Sequence, residues 1–148
     1  MNILDGLLGE HAAILTLFEH LERGVAHMDL AALQASGAML ERVLMAHSVA
    51  EDLYLFDALA PGRGGFHEVL DAMRDEHIQM AQQLGRLREC ENEAAARGCL
   101  ARLIDVTREH FEVEERVLFV LAAKHFDREQ LEHMGDGWKR HRMKEATP

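Results

Sequence analysis

Two dyads of the same spacing restrict this chain more than anything else in it: His47-Ser48-Val49-Ala50-Glu51 and His110-Phe111-Glu112-Val113-Glu114. An α-helix turns about 100° per residue, so residues four apart lie one above the other on one face. Each dyad therefore places an imidazole and a carboxylate on a single face, and the apolar neighbours of that face direct it inward. A buried carboxylate without a partner is costly. The two faces must therefore meet inside one core, with something there to satisfy them. His11 and His77, each alone on the inward stripe of another helical stretch, complete the pattern.

The rest of the chain reads as helix. Its 148 residues hold two prolines and no alternating β-branched run, and the length suits one domain with one core. A first helix is expected from Ile3 to His27 behind Asn2 as N-cap, with Ile3, Leu7, His11, Ile14, Phe18, Leu21 and Val25 inward. A second opens after Asp29 and runs to Leu59 through Leu33, Leu40, Leu44, His47, Glu51, Tyr54 and Ala58. The stretch Pro61-Gly62-Arg63-Gly64-Gly65 then breaks the chain. A third helix, Phe66 to Glu93, carries Phe66, Leu70, Met73, His77, Met80, Leu84 and Leu87. A fourth, Gly98 to Lys124, carries Leu103, Val106, His110, Glu114, Val117 and Leu121. Asp127-Arg128-Glu129-Gln130 resembles a capping box that opens a short helix to Met134, ended by Gly135 and Gly137. Trp138 is expected to fold back on the bundle, and Lys139 to Pro148 to fray. The expected fold is all-α: an antiparallel up-down-up-down four-helix bundle with a short C-terminal tail helix. It forms a single domain over 1–148, with the bundle core at about 3–124 and the tail at 125–148. No repeat beyond the two dyads is read.

Depth tests this arrangement. Counted from each turn at about 1.5 Å per residue, His11, His47, His77 and His110 fall within about 6 Å of one level. Four unrelated core histidines have little reason to share a depth. Together with Glu51 and Glu114 they make six inward donors, too many for one tetrahedral zinc. They suit two metal ions bridged by carboxylates. Nitrogen and oxygen donors without thiolate favour iron or manganese, with zinc or copper admissible on affinity alone. Tyr54 lies inward one turn beyond Glu51. Three roles are open to it: phenolate ligand, hydrogen-bond donor to a bound oxygen species, or packing. Met73 and Met80 flank His77 as core filler lining the pocket. Of the ten histidines, His20, His27, His67, His125, His133 and His141 fall off the inward lines, and Glu112 and Glu115 read as a solvated face.

A net charge of −10 disfavours nucleic acid and anionic membrane as partners. No apolar run approaches about 18 residues. Met1 to Gly6 lacks a signal-peptide pattern, and Cys90 and Cys99 are expected to be reduced thiols, so a cytoplasmic chain is expected.

At these residues the sequence resembles the hemerythrin-like, HHE cation-binding family. That family's pattern is an early histidine, a His-x-x-x-Glu, a later histidine, then a second dyad. The match is His11, His47/Glu51, His77 and His110/Glu114, over about residues 3 to 124. The resemblance implies a non-heme centre of two iron ions, oxo- or hydroxo-bridged, with both glutamates bridging. Oxygen-carrying members have a further histidine where this chain has Met73. The resemblance therefore turns away from reversible oxygen carriage and toward handling of peroxide, nitric oxide or iron. The expected function is reaction with a small oxidant, first hydrogen peroxide breakdown of a catalase-like kind. The alternatives are oxygen or nitric oxide binding or sensing, and iron storage or donation. The sequence does not decide whether the chain is an enzyme, nor its oligomeric state.

Overall fold

A computed structural model describes residues 1–60 and 65–145, and among them there is helix and no strand. Five helices account for almost all of it. They are α1 (Ile3–Gly24), α2 (Leu30–Glu51), α3 (His67–Glu89), α4 (Glu93–Val113) and α5 (Arg128–Glu145). A short 3-10 turn, Val25–His27, follows α1. Both α2 and α4 continue past their last regular turn. Behind α2 come a π-helical turn, Asp52–Phe56, and a final turn, Asp57–Leu59. Behind α4 come a π-helical turn, Glu114–Leu118, and a last stretch, Phe119–His125.

The starts follow the capping residues. Asn2 Oδ1 accepts from the Asp5 amide at 3.0 Å, Asp29 Oδ1 from Ala32 at 2.8 Å and Asn92 Oδ1 from Ala95 at 2.9 Å, each satisfying an otherwise orphaned N–H. The cap at Asn92 is why α4 begins at Glu93 rather than at Gly98. Asp127 and Gln130 form the expected reciprocal box at 2.9 Å in both directions. Pro61 to Gly64 of the expected break lie outside the described residues. Gly65, two residues ahead of α3, has φ +73°, a conformation that favours glycine.

The expected short tail is corrected. Gly135 and Gly137 do not stop α5, which continues to Glu145, and residues 139–145 are helical rather than frayed. These glycines serve contact. A Cβ at Gly135 would collide with the Met1 carbonyl, and one at Gly137 would lie 2.8 Å from the Tyr54 ring. Trp138 does fold back, laying its ring over Gly6 of α1.

Val117, Leu121 and Ala58 were expected inward, but Val117 and Leu121 are exposed and Ala58 is half-buried, while Leu118, Ala122, Leu55, Phe56 and Leu59 are buried. The cause is the π-turn at the end of each dyad, Asp52–Phe56 and Glu114–Leu118. It adds one residue without adding a turn, so everything downstream is rotated by about one residue, roughly 100°.

Between neighbouring elements, Glu10 pairs with His47 and Met28 with Ser36. Asp52 pairs with Arg74 and Gln34 with Arg88. His77 pairs with His110, Cys90 with Cys99, His11 with Glu115 and Glu22 with Arg108. Cys90 and Cys99 are free thiols with sulfurs 3.6 Å apart. The apolar core falls into two compartments. One holds Phe18, Leu40, Leu84, Leu103 and Phe111. The other holds Leu7, Phe56, Leu70, Leu118 and Leu131 of α5. Between them on every one of the first four helices lie the polar positions: 11, 47 and 51, 77, and 110 and 114. No described helix is long and apolar enough to cross a membrane.

Candidate metal centre

The structure brings the six expected donors to this one layer. His11, His47, Glu51 and Glu114 each turn one ligand atom to a common point, all within 4.8 Å of one another, and Glu51, His77 and His110 do the same. Glu51 belongs to both groups. Its Oε1 lies 3.8 Å from His47 Nε2 and its Oε2 lies 3.3 Å from His77 Nε2. Glu114 Oε2 similarly faces His11 Nε2 at 3.4 Å and His110 Nε2 at 3.7 Å. Each carboxylate thus reaches a histidine of either half.

With its two carboxylates ionised, the arrangement lacks a donor. His11 Nδ1–H donates to Glu115 Oε1 at 2.8 Å, and His47 Nδ1–H to Glu10 Oε2 at 2.7 Å. A neutral imidazole that donates from Nδ1 carries a lone pair at Nε2. The Nε2 atoms of His11 and His47 nevertheless face each other at 3.1 Å. All four oxygens of Glu51 and Glu114 are buried with no hydrogen-bond partner. Acceptors aimed at acceptors in a dry core make a site that a cation satisfies. Imidazole and carboxylate suit a borderline or hard transition metal. Burial pushes the carboxyls of Glu51 and Glu114 up to about 8 without metal, and the charge of Glu51 adds to the rise at Glu114. Burial, helped by His110, pushes His77 down to about 3.

Three carboxylates complete the surroundings: Glu10 and Glu76, which carry no expectation from the sequence, and Glu115. Glu76 Oε2 accepts from His110 Nδ1 at 2.6 Å. Glu115, expected on a solvated face, is instead half-buried and holds His11. The sequence did carry a signal for them. Each lone histidine follows a glutamate, in Glu10-His11 and Glu76-His77, and each of these glutamates holds the histidine of the next helix's dyad. The echo between the halves is therefore longer than the dyads alone. It includes Glu51-Asp52 against Glu114-Glu115 and Leu55-Phe56 against Leu118-Phe119.

The π-turn takes Tyr54 off the line of Glu51. Its half-buried ring lies against Gly137 and meets the His141 ring edge-on, 5.7 Å between centroids. Both contacts are with α5. Met73 and Met80 are buried as expected. His20, His27, His67, His125 and His133 are exposed.

Fold and site together define an all-helical metal-binding domain built on two histidine–glutamate helices. Residues 2–122 match the model of the hemerythrin HHE cation binding domain, and the chain belongs to that family. Comparison with curated proteins and with solved structures gave no match.

Proposed function

We propose that this chain holds two iron ions in an antiparallel up-down-up-down four-helix arrangement of α1 to α4, with α5 appended, and that it acts on a small oxidant. The arrangement is supported by the cross-helix pairs. In Gln34–Arg88 and Asp52–Arg74, and again in His11–Glu115 and Glu22–Arg108, one residue number rises as the other falls. A count of two is supported by the two groups of converging ligand atoms that share Glu51. In this reading His11 and His47 serve one ion, His77 and His110 the other, and Glu51 and Glu114 span both.

The observation that carries the choice of chemistry is the uneven coverage of the two halves. Two histidines and the two shared carboxylates serve each half, but Met73 stands one turn before His77, and the His77 side chain is 11% exposed against 0% for His11 and 2% for His47. The side with a path to solvent admits a small molecule. When bound, iron supplies the electron exchange that breaks the O–O bond of peroxide. The protein's residues hold the ions, fix the ring orientations through Glu10, Glu76 and Glu115, and keep the interior dry. The reaction is the disproportionation of two hydrogen peroxide molecules to two water and one dioxygen. The same open side also suits oxygen or nitric oxide binding, the second reading. Iron storage or donation is the third. The partners are small molecules in a cytoplasmic setting, not nucleic acid or membrane.

The deciding experiment measures metal per chain and the optical spectrum in air, then follows peroxide loss and oxygen evolution together. One dioxygen for each two peroxides consumed, above the rate of free iron, supports the catalase-like reading. A spectral change that reverses when gas is removed, without turnover, selects binding. Iron that leaves readily to a chelator selects storage.

A further inference from the structure

Three carboxylates hold the outer ring nitrogens of this cluster, and among the described residues only one of them is itself gripped by an arginine. Glu10 gives Oε2 to His47, while its Oε1 accepts from Arg142 Nε at 2.6 Å and also pairs with Arg142 Nη2. Neither Glu76 nor Glu115 has an arginine partner among the described residues. Arg142 sits near the end of α5, beyond residues 2–122, which match the family. The helix that carries it is firmly seated. Gly135 lies on the backbone of Met1 and Asn2, Gly137 lies on the Tyr54 ring, and Leu131 is buried.

We propose that Arg142 is a positioning residue of the metal centre, so that α5 belongs to the site rather than merely covering it. Two guanidinium N–H groups converge on one Glu10 oxygen and fix the plane of the carboxylate. The other oxygen is thereby aimed at His47 Nδ1. A proton held there leaves the Nε2 lone pair pointing inward, as a metal ligand must be. The proposal rests on the reading that His47 ligates the metal.

The test uses the full chain loaded with iron and follows two readouts: the rate of iron loss to a chelator and the position of the visible charge-transfer band. The variants are Arg142→Gln, Arg142→Lys, Glu10→Gln, the double variant Arg142→Gln/Glu10→Gln, and His47→Ala. Removing a residue that orients a metal ligand costs about 10- to 100-fold in metal retention, which is the expectation for Glu10→Gln. Arg142 acts one step further out, so Arg142→Gln should speed iron loss about threefold to tenfold and shift the band. Arg142→Lys, which keeps the charge, should recover part of both effects. In the Glu10→Gln background, Arg142→Gln should add nothing, because the residue it acts through is already gone. A wild-type rate and band in Arg142→Gln overturns the proposal, as does an effect of full size in the double variant, which marks a general loosening of α5. His47→Ala separates the two readings. If it keeps its full iron, the site assignment fails with the proposal; if it loses iron while Arg142→Gln does not, the proposal alone fails.

Discussion

On one side of the cluster His11 is held at its outer nitrogen by Glu115, the residue that follows Glu114. On the other side the residue in the same place, following Glu51, is Asp52, one methylene shorter. Its Oδ1 lies 3.8 Å from Arg74 Nε, and His77 has no carboxylate partner at Nδ1 among the described residues. The halves otherwise correspond, with Glu10 on His47 and Glu76 on His110. One fixed ring and one unfixed ring in the same fold teach what the carboxylates outside the cluster do. They set the tautomer and orientation of each ligand, and the side that lacks one of them is the side open to solvent.

The comparison breaks most completely at the residue both halves share. Glu51→Ala should empty both groups and lower the melting temperature, and metal analysis should find close to none. A full metal equivalent retained there means the carboxylate is not shared. Glu114→Ala should lose at least one metal.

Next in size come single histidines. His47→Ala and His77→Ala should each lose one metal, from opposite halves. His47→Ala should destabilise more, by about 1–3 kcal/mol, because it leaves the half-buried Glu10 Oε2 without its ring partner. Thermal melts beside metal analysis check both.

The pH response of metal-free protein follows from the same layer. Glu51 and Glu114 hold protons up to about 8 when folded, against 4.5 for an unperturbed carboxyl. Their contribution is whole below pH 4.5 and is lost as pH rises toward 8. His77 works the other way. Its pKa of about 3, against 6.5, gives stability that is present above pH 6.5 and lost as pH falls toward 3. Metal-free protein should therefore lose melting temperature between pH 6.5 and 8. Metal-loaded protein should not, since the metal takes the place of the protons. Parallel curves with and without metal would contradict this.

A smaller change sharpens the contrast. Asp52→Glu gives the His77 side the longer acid found on the other side. It should slow metal loss from the weaker half by up to about tenfold, read from the second phase of release to a chelator. Smallest of all is Tyr54→Phe. With its ring between Gly137 and His141, it should leave metal content and spectrum unchanged.

Most of the helices, their inward stripes and the meeting of six donors were legible because apolar periodicity and dyad spacing are local properties. Three features were not. The π-turns leave no mark in residue type, so the stripes were continued straight through them and Val117 and Leu121 were placed inward. Glycine in α5 resembled a stop because its use there, close approach to Met1 and Tyr54, lies across the fold. Glu115 resembled surface because it sits off the His110 line on its own helix, and its partner, His11, is 104 positions away.

The π-turns have a further consequence, for how the chain compares with itself. The π-turns Asp52–Phe56 and Glu114–Leu118 fall within one residue of each other relative to their dyads, and the stretches His47 to Phe56 and His110 to Phe119 align in sequence residue for residue without a gap. A sequence with an unbroken helix at either dyad would need a one-residue gap in mid-helix to align with them. Between the lone histidine and the dyad the halves differ in length, with 36 positions from His11 to His47 and 33 from His77 to His110, while the stretch around the donors keeps its length.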